Sequence, residues 1–81
     1  MAIKFPEAFT VWEQWFRAGL GRMQESGELS RDADVDALAV GLMAAVQGGY
    51  LLSQTRRDGR AMAMALDMAL HSVRASLAPR P

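Results

Sequence analysis

Cysteine is absent from the 81 residues, which removes disulfides, thiolate metal sites and thiol nucleophiles together. Histidine occurs once, at His71, so a histidine-rich metal centre cannot be built, and no cofactor or metal is expected. Net charge is lacking too. Nine Lys and Arg balance nine Asp and Glu, and the chain as a whole offers no electrostatic footprint for DNA, RNA or acidic lipid. An export signal is missing: Pro6 and Glu7 stand where an apolar run should follow Lys4. A membrane span is approached but not reached. Ala37 to Gln54 carries no charge, yet it holds Gln47, Ser53, Gln54 and the glycines 41, 48 and 49, and many of its members are Ala rather than Leu or Ile. The expectation is a cytoplasmic protein with no membrane partner.

What remains is helix. The fold class expected is all-α, with three helices in a single domain over residues 1–81. The first helix should run over 6–26, opened by Pro6, whose missing N–H would be unpaired at a first helical position. Phe5, Phe9, Trp12, Phe16, Leu20 and Met23 recur at spacings of three and four, with Ala8, Val11, Trp15 and Ala18 beside them. Glu13 and Arg17 form a supportive i,i+4 pair. Gly19 and Gly21 weaken the last turns, and Gly27 fits a left-handed cap. Residues 28–33 then form a connection.

The second helix should cover 35–55, capped by Asp34 or Asp32 and closed by Arg56 and Arg57. Val35, Leu38, Ala39, Leu42, Val46, Gly49 and Leu52 form one face, and the small residues Ala37, Gly41, Ala45 and Gly48 a second. Apolar residues all round mark a buried helix. Arg57, Asp58 and Gly59 make a tight turn, with Asp58 as N-cap of a third helix over 59–77. That helix carries one stripe of Met62, Leu66, Ala69, Leu70, Val73 and Leu77, and another of Ala61, Ala65, Met68, Ser72 and Ala75 or Ser76. Residues 78–81 are a tail that its prolines keep from continuing the helix.

The short turn makes the last two helices an antiparallel hairpin. Each has one face for its neighbour and another left over, and one further helix cannot cover both sides. A two-fold axis packing two hairpins into a four-helix bundle disposes of the surplus, so a homodimer is expected. The candidate interface residues are Gly41, Ala45, Gly48, Ala61, Ala65, Met68 and Ser72.

From Trp12 to Leu77 the sequence resembles the C-terminal part of TetR-family transcriptional regulators. The features are the aromatic helix running into Gly27-Glu28-Leu29, the entry Asp34 to Ala39, the stretch Ala44 to Leu52, and the Arg57-Asp58 turn into a last apolar helix. The resemblance implies that the last two helices pair with their copies as a four-helix interface, while preceding helices line an effector pocket. The family's N-terminal helix-turn-helix is not expected within this sequence, since nothing before Phe5 reads as one. A fragment, a truncated reading frame or a stand-alone descendant, not itself DNA-binding, is therefore the expectation.

Trp12, Trp15 and Phe16, with Met43, Gln47 and Tyr50, are the candidates for lining a pocket for a small apolar effector. Ordinary core is the preferred alternative for the same rings. The spacing of Asp32, Asp34 and Asp36 opens like a calcium loop, but Ala37 and Met43 occupy the positions that need Gly and Glu, which leaves helix capping. Asp67 and His71 lack an accompanying nucleophile. Arg56, Arg57 and Arg60 lack a glycine-rich cradle. An enzyme is not expected, since the arginines fall on polar faces, ends or turns. The remaining alternatives are a helical oligomerisation or sequestering module without ligand and, more remotely, a small helical dimeric enzyme.

Overall fold

The computed structural model describes residues 5–79, with side chains from Phe9 onward. Three helices account for the architecture: α1 over Phe5–Glu25, α2 over Val35–Arg56 and α3 over Arg60–Ala75. The predicted boundaries hold to within one or two residues, and no strand occurs among the described residues. The side chains of Phe5 and Ala8, and the tail residues Arg80 and Pro81, lie outside the described residues.

Local chemistry fixes each helix end. α1 runs through Gly19 and Gly21 without interruption and stops at Gly27, whose φ of 86° puts it in the left-handed region. The amides of Gly27 and Glu28 then donate back to the carbonyls of Gln24 and Met23, at 3.2 and 2.9 Å. This paired closure satisfies carbonyls that the helix leaves open. Asp34 caps α2, its carboxylate accepting from the Ala37 amide at 3.0 Å. The far end of α2 closes in the same paired way, from Arg57 to Gln54 and from Asp58 to Ser53. Here the left-handed residue is Arg57, at φ 58°, a conformation that costs a side-chain-bearing residue about 1–2 kcal/mol.

The start of α3 departs from expectation. The carboxylate of Asp58 accepts from the Arg60 amide at 2.9 Å, but the residue at the N-cap is Gly59, which has no capping side chain. The Met62 amide is instead capped from α2, by the Ser53 hydroxyl at 3.0 Å. α3 also ends two residues early, at Ala75. Leu77 leaves the helix to form an antiparallel bridge with Leu29. The Ser30 amide donates to the Ser76 carbonyl and the Ala78 amide to the Glu28 carbonyl, both at 2.9 Å. Leu29, read from the sequence as mere connection, is the largest fully buried side chain.

α2 packs against both α1 and α3, which do not pack as helices on one another among the described residues. The core is correspondingly thin. Leu20, Leu29 and Ala39 form its buried centre, with Phe16, Met23, Val35, Leu38, Leu42 and Val73 packed partly buried around it. The molecule is long and flat, 48 × 30 × 14 Å. Its radius of gyration is 14.4 Å, against about 12 Å for a compact domain of this length.

α2 is apolar all round, yet it is not enclosed. At 100° per residue, one sector of its circumference comprises Ala37, Val40, Gly41, Ala44, Gly48, Leu51, Leu52 and Thr55, and every one of them is exposed. The sector contains no charge. It is the side that neither α1 nor α3 covers.

Candidate effector and dimer surfaces

The six pocket candidates differ in exposure among the described residues. Phe16 packs half-buried against the core and Met43 is buried. Gln47 is half-buried. Trp15 is 67% exposed, Trp12 42% and Tyr50 53%, so these rings present large apolar faces to solvent. The Tyr50 hydroxyl accepts a hydrogen bond from the Gln54 side chain at 2.7 Å.

A groove of about 280 Å³ opens elsewhere, between the start of α2 and the end of α3. Asp34, Ala37, Leu38, Gly41 and Leu42 supply one wall and Ala69, Ser72 and Ser76 the other. Its base is apolar, and its polar groups are already engaged in part: Asp34 caps α2, and the Ser76 hydroxyl donates to the Ser72 carbonyl at 3.0 Å. Of the residues expected from sequence to matter, Gly41 and Ser72 line it. The groove itself was not legible, because its width depends on how far the two helix ends diverge.

The seven interface candidates separate into two groups. Gly41, Gly48, Met68 and Ser72 are exposed, and a Cβ built on Gly41 or Gly48 would meet nothing within 4 Å. Ala45, Ala61 and Ala65 are half-buried. Ala65 lies in the hairpin contact, where a Cβ on Gly49 would stand 3.2 Å from its own Cβ and 3.0 Å from the Met62 Cα. Gly49 is thus the close crossing between α2 and α3, a role the sequence pattern did not single out.

The electrostatics are confined to the rim. Arg17 donates to Glu13 at 2.8 Å and to Asp36 across the α1–α2 contact. Hydrogen bonds to Glu13 first, and then to Asp36, hold the guanidinium above its ordinary pKa. A raised pKa contributes stability at every pH below the unfolded value and loses it only as pH rises through the folded one. The contact is therefore constant through the neutral range. Asp67 and His71 are both exposed on α3.

By length and composition α2 would suffice to cross a membrane, but the core helix of a soluble assembly meets the same description. The sequence comparison decides the matter of kinship. A family model described as "Tetracyclin repressor-like, C-terminal domain" matches residues 4–69. The chain belongs to that family. The match takes in α1, α2 and most of α3. No curated protein and no solved structure matches. Tetracycline-repressor-like C-terminal domains belong to transcriptional regulators rather than enzymes, and they typically dimerise and bind small effectors. That agrees with the family resemblance carried by the aromatic α1 and by α2, which has no charge between Ala37 and Thr55.

Proposed function

We propose that this chain is the dimerisation and effector-binding region of a TetR-like regulator, working in the cytoplasm, and neither binding DNA nor catalysing a reaction itself. Two copies join through α2 and α3 into a four-helix bundle. The observation that carries this reading is the uncharged, exposed sector of α2, from Ala37 to Thr55. Monomers rarely leave a continuous apolar surface of such length open, and interfaces of the obligate kind resemble a core cut in half. Met68, 74% exposed, extends the apolar surface onto α3.

The effector half of the proposal rests on family membership and on the aromatic set of Trp12, Trp15 and Phe16 with Met43, Gln47 and Tyr50. The absence of net charge supports the reading that this chain makes no DNA contact of its own.

Sedimentation of the chain at micromolar concentration, with melting followed over a hundredfold dilution, tests the dimer. Stability of a coupled dimer falls with dilution. A folded monomer whose melting temperature ignores dilution would refute it. Tryptophan emission tests the effector site: a saturable change with some apolar small molecule, recovered unaltered afterwards, is expected. No response across a broad panel would leave the aromatic residues without that role.

A further inference from the structure

The exposed sector of α2 has an internal symmetry that specifies how a second copy sits on it. Its central line is Ala37, Gly41, Ala44, Gly48, Leu51 and Thr55, all exposed, at spacings of four and three in alternation. That series reads the same from either end about Val46. Placed antiparallel on its own copy across a two-fold axis at Val46, the line pairs Ala37 with Thr55, Gly41 with Leu51, and Ala44 with Gly48. The middle pairs are small against small, which lets two backbones approach. The next pair outward sets Gly41, which has no side chain, against the large Leu51. Gly41 lines the groove and has nothing within 4 Å of where its Cβ would be. Leu51 is 64% exposed with its side chain unburied.

The geometry points to Leu51 of a second copy as the occupant of the groove at Gly41, with α2 lying antiparallel to its counterpart in the register centred on Val46. This rests on the dimer proposed above and adds its direction, its register and the residue that fills the groove. Charge agrees with the direction. Around the start of α2 stand Asp32, Asp34 and Asp36, with Arg31 and the Arg17 of α1 that pairs with Asp36 against them, which leaves a small acidic excess, and around its end Arg56, Arg57 and Arg60 with only Asp58. Antiparallel pairing brings the acidic end of each helix beside the basic end of the other and opposes the two helix dipoles favourably. Parallel pairing would set like ends together. The apolar base of the groove, Leu38 and Leu42 with Ala69, suits a leucine side chain rather than a polar one.

The native chain has no cysteine, so the register can be read by cross-linking. Chains carrying Gly41→Cys are mixed with chains carrying Leu51→Cys and treated with a short bismaleimide. In the stated register these positions face each other, whereas two copies of position 41 lie about 15 Å apart along the axis, the rise of ten helical residues. The expected product is a cross-linked pair of one chain of each kind, with either variant alone staying largely unlinked. Self-linking of either variant as fast as the mixture, or no linking in a mixture that sediments as a dimer, overturns the register while the dimer stands. Sedimentation of the wild type as a monomer overturns both. A size exchange checks the same contact without a probe: Gly41→Leu should weaken dimerisation at least tenfold, and adding Leu51→Ala should recover most of that loss. A double variant no tighter than Gly41→Leu alone refutes the contact.

Discussion

Gly49→Ala puts a general preference and a local contact in opposition. In an open helix the change favours folding by about 1 kcal/mol, because alanine restricts the unfolded backbone and glycine does not. Here the new methyl would stand 3.0 Å from both the Met62 Cα and its Sδ, and 3.2 Å from the Ala65 Cβ. The sulfur can swing away, but the Cα belongs to the α3 backbone and the Ala65 Cβ is fixed to it. Relief requires the two helices to part by several tenths of an ångström. That movement also stretches the hydrogen bond from the Met62 amide to the Ser53 hydroxyl, now 3.0 Å. Overpacking of this kind costs about 1–3 kcal/mol, so a net destabilisation of about 1–2 kcal/mol is expected. Gly21→Ala is the matched control, since its methyl meets nothing within 4 Å, and it should raise stability by about 1 kcal/mol. Urea denaturation of both at one protein concentration measures the gap. Each kcal/mol corresponds to roughly 4–8 °C in melting temperature for a domain of this size. A Gly49→Ala protein as stable as wild type, or more so, would show that the hairpin crossing is not tight at this position.

Gly27→Ala must place a Cβ at φ 86° and should cost about 1 kcal/mol, with Gly27→Asn costing less; equal stability of all three in denaturation would contradict the left-handed closure of α1. Ser53→Ala removes the hydroxyl that accepts from the Met62 amide in the first turn of α3, and should lower stability by about 1 kcal/mol, with faster amide exchange at Met62; unchanged exchange there would refute that role. Gly48→Glu meets no neighbour within the chain, so its helical content should survive while a buried unpaired charge in the dimer costs about 3–5 kcal/mol; an unaltered dissociation constant in sedimentation would exclude this face of α2 as the interface.

The helices were legible because their signals are local. Apolar spacing, Asp34 before Val35 and Gly27 after Glu25 act within a turn or two, and the structure places them where the pattern does. Contacts between distant residues were not legible. Ser53 reaching from α2 to cap the Met62 amide, and Leu77 leaving α3 to meet Leu29, both depend on how the hairpin closes. The surfaces divide in the same way. That α2 is apolar all round could be read directly, but which side stays open could not. Gly48 and Gly49 are neighbours with the same composition, yet one faces open space and the other the α3 backbone. Among the interface candidates only the packed structure separates Ala65, engaged inside the hairpin, from Gly41.

The pairing of Leu29 with Leu77 ties two stretches far apart in the chain into one kinetic unit. The hairpin of α2 and α3 closes over a three-residue turn and can form early, whereas the bridge must wait until both helices span the distance between its ends. Its two amides, on Ser30 and Ala78, should therefore become protected together and late during refolding, and should exchange together in the native state. Release of the segment that follows α3 would strip the cover from Leu29 and loosen the junction through which α1 is held. A strain felt at the end of α3 thus reaches the first helix through the backbone at Leu29 as well as through the packing of α2.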